Sequence, residues 1–258
     1  MSLTFQSLRS SSRGNCLLLK SSRTAVLIDC GIKTQRECHA LLDGHASRLD
    51  AVLVSHAHGD HVCYSSLRVL ERYGTPVHCH QDVLRHVSRK HVRDRDSPPQ
   101  LNAFQSAVFS IGDFEVLPVA LPHEPHCPTF GFVIRCGDLK IVVCTDFHDP
   151  GAIGDHLIDA DFIFIEANHD TELLRLFPNY ASHYHLNNRK TGKVLAQARR
   201  NSCRPPKGVM LGHLSEQRNN ESLALDSVRD AFAAEKLTID FKLDVAPRYA
   251  VSNEFHIV

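Results

Sequence analysis

At 258 residues, with 43% hydrophobic and 22% charged side chains, the chain can bury a sizeable core and is too apolar for disorder. Lys and Arg (29) balance Asp and Glu (29), which excludes a generally basic nucleic-acid binder but leaves room for a local basic patch. The chain has no run of eighteen apolar residues, its N-terminus MSLTFQSLRS is too polar for a signal peptide, and its nine cysteines include no CxxC pair. A cytoplasmic protein with reduced thiols and no membrane association is therefore expected.

Thr4 to Leu8, Cys16 to Lys20 and Val26 to Asp29 read as short strands. The polar turn Ser10-Ser11-Ser12-Arg13-Gly14-Asn15 joins the first two, either as a plain hairpin or as a loop offering N–H groups and hydroxyls to an anion. Ile32 to Leu42 is a predicted helix and Ala51 to Val54 a buried strand. The strand runs into Ser55-His56-Ala57-His58-Gly59-Asp60-His61, which packs four metal-type side chains into six residues. His56 and His58 can face one point from extended backbone. Asp60 and His61 should start the helix Val62 to Tyr73 and turn toward a second point. That layout suits two adjacent metal ions better than one.

A strand Pro76 to Cys79 and a helix Gln81 to His91 follow. The helix is basic, with Arg93, Arg95 and a Ser97-Pro98-Pro99 loop after it; it reads either as a solvated face or as a nucleic-acid contact. Phe104 to Phe109, Phe114 to Val119, Thr129 to Arg135 and Lys140 to Cys144 are four more strands, with turns at Gly112-Asp113, Pro122 to Pro128 and Gly137-Asp138. His123 and Asp146 stand just past strands, where a ligand is held firmly yet stays accessible. His126 is close enough to His123 to be an alternative.

The strand Asp161 to Ala167 leads into Asn168-His169-Asp170, then helices over Thr171 to Phe177 and Asn188 to Arg200. Val209 to Leu211 delivers Gly212-His213-Leu214-Ser215, before a helix Glu221 to Ala234 and a closing strand Thr238 to Ala246. Seven Lys or Arg and no acid lie between 187 and 208, and seven Asp or Glu and no Lys or Arg between 149 and 172. Balancing surface faces account for this; a basic rim beside an anionic substrate is the alternative. No linker interrupts the chain, so one domain over 1–258 is expected.

The SHAHGDH run, followed by His123, Asp146 and His213, resembles the HxHxDH signature and later ligands of the metallo-β-lactamase superfamily. SSSRGNCLLL, LIDCG, the His123-Glu124 loop, CTDFH, EANHD and LGHLSEQRNN look more narrowly like its YycJ/WalJ-type branch, itself similar to PhnP-type phosphodiesterases. The resemblance implies an α+β fold, a four-layer αββα sandwich with metals at one edge. It implies one divalent ion on His56, His58 and His123, a second on Asp60, His61 and His213, and Asp146 bridging, so that Asp60 and Asp146 are the catalytic carboxylates. Asp29 would orient a ligand histidine. The mixed nitrogen and oxygen set suits zinc, with manganese or iron as alternatives.

True β-lactamases of this fold lack the bridging aspartate, so Asp146 points to phosphodiester or thioester hydrolysis instead; the leading reading is a phosphodiester, DNA or RNA included, cut by a metal-bridging hydroxide. Ser12, Asn15, Asn168 and Ser215 are candidates around that chemistry. Of the neighbouring histidines, His148 reads as a rim residue, and one of His169, His183 and His185 could protonate a leaving group. The competing readings are a glyoxalase-II-type thioester hydrolase, a small cyclic phosphodiesterase, and a metal-binding scaffold without activity.

Overall fold

The computed structural model describes residues 2–45, 48–91 and 100–258. Two seven-stranded mixed sheets face each other. The first holds β1 (Leu3–Ser11), β2 (Gly14–Lys20), β3 (Ala25–Ile28), β4 (Ala51–Val54), β5 (Val77–His80), β6 (Leu101–Phe104) and β14 (Phe255–Ile257). Its order is β14-β1-β2-β3-β4-β5-β6, with β3 to β6 parallel. The second holds β7 (Phe109–Ile111), β8 (Phe114–Leu121), β9 (Thr129–Cys136), β10 (Leu139–Cys144), β11 (Phe162–Glu166), β12 (Gly208–Gly212) and β13 (Lys242–Val245), with β10 to β13 parallel.

The unbroken apolar runs have a simple cause: the central strands are covered on both faces. Along β4, Ala51 and Leu53 point into the core between the sheets, while Val52 and Val54 point toward α1 (Gln35–Leu42), α2 (Tyr64–Arg72) and α3 (Gln81–His91). Along β11, Phe162 and Phe164 enter the inter-sheet core, and Ile163 and Ile165 pack toward α6 (Asn188–Asn201) and α7 (Glu221–Ala234). The two-residue period of a strand therefore produces four layers, helices outside and sheets inside. The expected α+β αββα sandwich is the observed fold.

Several boundaries differ from expectation. Phe104 to Phe109 is not one strand: β6 ends at Phe104 and β7 begins at Phe109, so this stretch carries the chain from the first sheet to the second. Both ends are apolar because each enters the same core, where the Phe104 and Phe109 rings stack 4.8 Å apart. The closing strand shrinks to Lys242–Val245, and the unexpected β14 pairs antiparallel with β1. Arg93, Arg95 and the Ser97-Pro98-Pro99 loop lie outside the described residues. The uneven charge resolves in part into ion pairs, which take up three of the seven basic residues of 187–208. Arg199 meets Asp240 at 2.6 Å, Arg204 meets Asp161 at 2.5 Å, and Arg200 pairs with Glu235. Among the described residues no helix is long and apolar enough to cross a membrane.

The sheet directions place the ends of β1, β3, β4, β8, β10, β11 and β12 along one edge of the sandwich. Every strand-end polar residue singled out in the sequence arrives there, in the position where sheets of parallel strands present their ligand sites.

Candidate metal centre

Three of the strand ends turn sharply. Asp29 after β3, Asp146 after β10 and His213 after β12 have φ of 59°, 60° and 54°. This left-handed conformation is costly for a residue with a Cβ, by roughly 1–2 kcal/mol each, and it persists where surroundings impose it. Here it marks the abrupt end of each strand at the sheet edge.

Asp60 and His61 do not begin a helix, as their position suggested. They lie in a turn in which the His61 and Val62 N–H groups both donate to His58 O, at 3.0 and 2.9 Å, and α2 starts only at Tyr64. The reason is a backbone lacing: Cys30 N–H donates to His61 O at 2.8 Å, Asn15 N–H to Asp60 O at 2.7 Å, and Gly31 N–H to Asn15 O at 2.9 Å. The segments approach so closely that a Cβ on Gly31 would lie 1.9 Å from the Asp60 carbonyl. Gly31→Ala should therefore push residues 60 and 61 out of place. Overpacking of this kind costs about 3 kcal/mol, and the variant is expected to melt earlier and to lose bound metal in elemental analysis.

Hydrogen bonds select which ring nitrogen each histidine presents. His61 Nδ1–H donates to Asp29 Oδ2 at 2.7 Å, and Ser55 donates to the same carboxylate through N–H and Oγ–H, both at 2.8 Å. Ser55 Oγ in turn lies 3.0 Å from His56 Nδ1. His123 Nδ1–H donates to Tyr184 O at 3.1 Å, and His213 Nδ1–H to Glu166 Oε1 at 3.0 Å. In all four histidines Nε2 is left for the centre. His58 is reversed: its Nε2 is 3.4 Å from Glu124 Oε2, and its Nδ1 faces His123 Nε2 at 3.4 Å.

The ligating atoms fall into four overlapping groups, each within 4.8 Å: His56, His58 and His123; His56, His61 and Asp146; Asp60, His61 and His213; and Asp146, Glu166, His185 and His213. Asp146 joins two of these groups, one with His56 and His61 and one with His213. Its Oδ2 is 3.0 Å from His61 Nε2, and its Oδ1 is 3.7 Å from His213 Nε2. Asp60 Oδ2 lies 3.5 Å from the Nε2 atoms of both His61 and His213. A divalent cation fits this set. His56 Nε2, His213 Nε2 and Asp146 Oδ2 are buried without a hydrogen-bond partner among the described residues. Buried orphans cost about 1–3 kcal/mol each and call for such a partner.

The electrostatics agree. Burial first, then repulsion by neighbouring imidazoles, holds His56, His58 and His123 below the usual histidine range, which keeps them in the neutral form that binds a metal. Burial also opposes charge on His61 and His213, but the carboxylates around them win: Asp146, Asp29 and Asp60 raise His61, and Asp146, Asp60 and Glu166 push His213 up to about 10. The same pairings hold Asp60 and Asp146 low against the effect of burial. This half of the centre demands positive charge, which protons satisfy and which a divalent cation would supply by displacing them.

Around the centre is a cleft of about 220 Å³ lined by Ser12, Asn168, His185, Ser215 and Arg218 among others. Only Ser12 of the 10–15 turn lines it. The turn is a tight hairpin in which Ser10 Oγ accepts the His213 N–H at 2.8 Å, and Asn15 Nδ2 braces the lacing, 3.2 Å from Asp60 O and 3.0 Å from His61 Nε2. Asn168 Nδ2 donates to His213 O at 3.1 Å. His169 is buried beside Asn168, outside the four groups, and burial lowers it to about 4. His148 lies outside them too, its carbonyl accepting Lys190 Nζ at 3.0 Å, and His126 is exposed.

Glu166 is the residue that sequence reasoning missed. Fully buried at the end of β11, it accepts His213 Nδ1–H and His185 Nδ1–H on Oε1, at 3.0 and 2.6 Å, and the Phe147 and Leu186 N–H groups on Oε2, at 3.2 and 3.4 Å. Its one signal was a carboxylate closing the otherwise apolar run FIFIE. Ser55 was visible only as part of the histidine motif.

A two-sheet sandwich with a histidine and aspartate cluster at one edge defines a metal-dependent hydrolase of the metallo-β-lactamase type. The description "Beta-lactamase superfamily domain" matches residues 24–213, and the chain belongs to that superfamily. It is 27% identical over 260 residues to exodeoxyribonuclease WalJ of Streptococcus pneumoniae, covering 93% of each chain. Among solved structures it superposes on the metallo-β-lactamase fold protein YhfI of Bacillus subtilis with a TM-score of 0.76 at 17% identity, covering 99% of this chain and 100% of that one. A diphosphatase of the PhnP family gives a TM-score of 0.68 at 15% identity, covering 100% and 98%.

Proposed function

We propose that the chain, acting as one domain, is a dinuclear metal-dependent phosphodiesterase whose substrate is nucleic acid. The observation that carries this reading is the position of Asp146, which shares one group of converging ligand atoms with His56 and His61 and another with His213. His56, His58 and His123 would hold one ion, Asp60, His61 and His213 the other, with Asp146 between. Zinc suits the nitrogen-rich set, and manganese or iron are alternatives. When bound, divalent ions supply a water of lowered pKa and neutralise charge developing on phosphoryl oxygens. The protein's own part is positioning. Asp29, Ser55 and Glu166 aim the ligand nitrogens, and the Ser12 and Ser215 hydroxyls with the Arg218 guanidinium line the cleft where a phosphate would sit. His185, held on Glu166 through Nδ1, leaves Nε2 for the cleft and is the proton donor to the departing oxygen. The exodeoxyribonuclease name of the WalJ relative supports DNA as the polymer.

The test combines metal analysis with a substrate panel: bis-p-nitrophenyl phosphate, single-stranded and duplex DNA, RNA, and a lactoyl thioester. Phosphodiester turnover is expected, lost on chelation by at least about a hundredfold and restored by divalent metal. Turnover of the thioester alone would overturn the reading.

A further inference from the structure

One wall of the cleft is an arm that leaves the core at Asn168 and returns at Asn188. Its base is fastened: Asn168 N–H donates to Leu186 O and Asn188 N–H to His169 O, both at 2.9 Å, and Asp170 N–H donates to Arg218 O at 2.8 Å. Between these anchors lie α5 (Thr171–Leu176) and a 3-10 turn (Tyr180–Tyr184). The arm is rich in Leu, Phe and Tyr, yet α5 buries none of its residues, and Leu176, Phe177 and Tyr180 are 71%, 52% and 74% exposed. These side chains do nothing for the core. An apolar cluster left in water beside a cleft is the usual mark of a binding surface.

The aromatic rings are also ordered. The Tyr184 ring lies 6.3 Å from that of His123 in the centre, Tyr180 lies 5.8 Å from Tyr184, and His183 lies 5.6 Å from Tyr180. Successive rings meet edge to face, at 79°, 84° and 73°, in a chain of contacts that starts at the centre. Polar groups interleave with it: the two tyrosine hydroxyls are 3.4 Å apart, and Asn179 and Arg218 line the cleft at its foot. Arg218 fixes the arm by donating from Nε to Phe177 O at 2.6 Å, and it makes no ion pair with a carboxylate among the described residues.

We propose that this arm is a stacking platform for the unpaired bases of a single-stranded nucleic acid, Tyr184 and Tyr180 taking successive bases while Arg218 meets the backbone phosphate. The proposal rests on the phosphodiesterase reading of the cleft. Alternating aromatic faces and cationic or amide groups, set beside a cleft that would take a phosphate, match a strand of bases and phosphates. Stacking accepts any base, so the platform selects single strands over duplexes without selecting sequence.

The test uses metal-loaded protein and a short, hydrolysis-resistant single-stranded oligonucleotide carrying the fluorescent base aminopurine near one end. Quenching reports stacking, anisotropy reports affinity, and turnover of bis-p-nitrophenyl phosphate by the wild type is scored separately. A failure of the hydrolase reading registers in that turnover, and a failure of the platform registers in the quenching. Tyr180→Ala and Tyr184→Ala should each weaken binding by about tenfold and relieve the quenching, while Tyr180→Phe keeps both. Unchanged quenching in the alanine variants would overturn the proposal, as would a Phe variant no better than Ala. A wild-type dimer dissolved by Tyr180→Ala with oligonucleotide binding intact would overturn it in favour of self-association.

Discussion

Asp146→Ala is expected to lower kcat/KM toward bis-p-nitrophenyl phosphate by about a thousandfold, equivalent to roughly 4 kcal/mol of lost transition-state stabilisation. The size follows from the position of this carboxylate. Its Oδ2 approaches His61 Nε2 and its Oδ1 approaches His213 Nε2 and, at 3.6 Å, His185 Nδ1. Removing it takes an oxygen donor from the group shared with His56 and His61 and from the group shared with His213, and it removes a carboxylate that favours positive charge on His61 and His213. Bound metal should fall together with activity. The fold should survive, because Asp146 is held at the sheet edge by its neighbours rather than packed between the sheets, and its φ of 60° is relieved little by alanine. Glycine, which accepts that φ freely, is the control for backbone strain: Asp146→Gly should fold at least as well and be just as inactive. Activity within threefold of the wild type in either variant would remove Asp146 from its proposed role.

The fold was legible because its strands are short apolar runs separated by turn residues, and burial on both faces makes such runs unmistakable. The α+β sandwich follows once the superfamily resemblance orders them. The candidate centre was legible for the same reason. A histidine or aspartate directly after an apolar run cannot be packing residue and has to sit at a strand end, which is where His56, His123, Asp146 and His213 lie. What could not be read is set by long-range contact. Whether residues 60 and 61 continue into α2 depends on Cys30 and Asn15, far away in sequence, pulling their carbonyls into a lacing. Phe104 to Phe109 looked like one strand because nothing in its composition says that its two ends pair with different sheets. β14 exists only because the edge of β1 is available to it.

The least legible features are those whose meaning is purely spatial. Glu166 ends a strand like any other residue, and only the convergence of β11 with β12 and the 180–188 segment turns it into the acceptor of four N–H groups. The arm is similar. The sequence predicts a short helix over Thr171 to Phe177, but nothing in it says that the helix will bury none of its residues.

Glu166→Gln is the second substitution with a large expected effect, and it separates aiming from packing. The amide is nearly the same size as the carboxylate, so the apolar surroundings of β11 are undisturbed. It offers one oxygen in place of two and brings an NH₂ group that faces donors. At least two of the four N–H groups now on Glu166 must lose their acceptor. Leaving buried donors unpaired and uncoupling them from a buried charge is expected to lower stability by about 3–5 kcal/mol, seen as an earlier unfolding midpoint. A loss of packing alone would stop there. Because His213 and His185 both owe their ring orientation to Oε1, metal affinity should also drop by about 10–100-fold, read by competition with a chelator. The fall should be partial, confined to the half of the centre that contains His213, since His56, His58 and His123 are aimed by Ser55, Glu124 and Tyr184 instead. Ile165→Val, one residue earlier on the same strand, provides the comparison: a cost of about 1 kcal/mol with metal affinity unchanged. If Glu166→Gln lowered the unfolding midpoint and left metal affinity at the wild-type value, Glu166 would be a structural carboxylate and the aiming of His213 would have to come from the backbone at its strained φ and from Ser10.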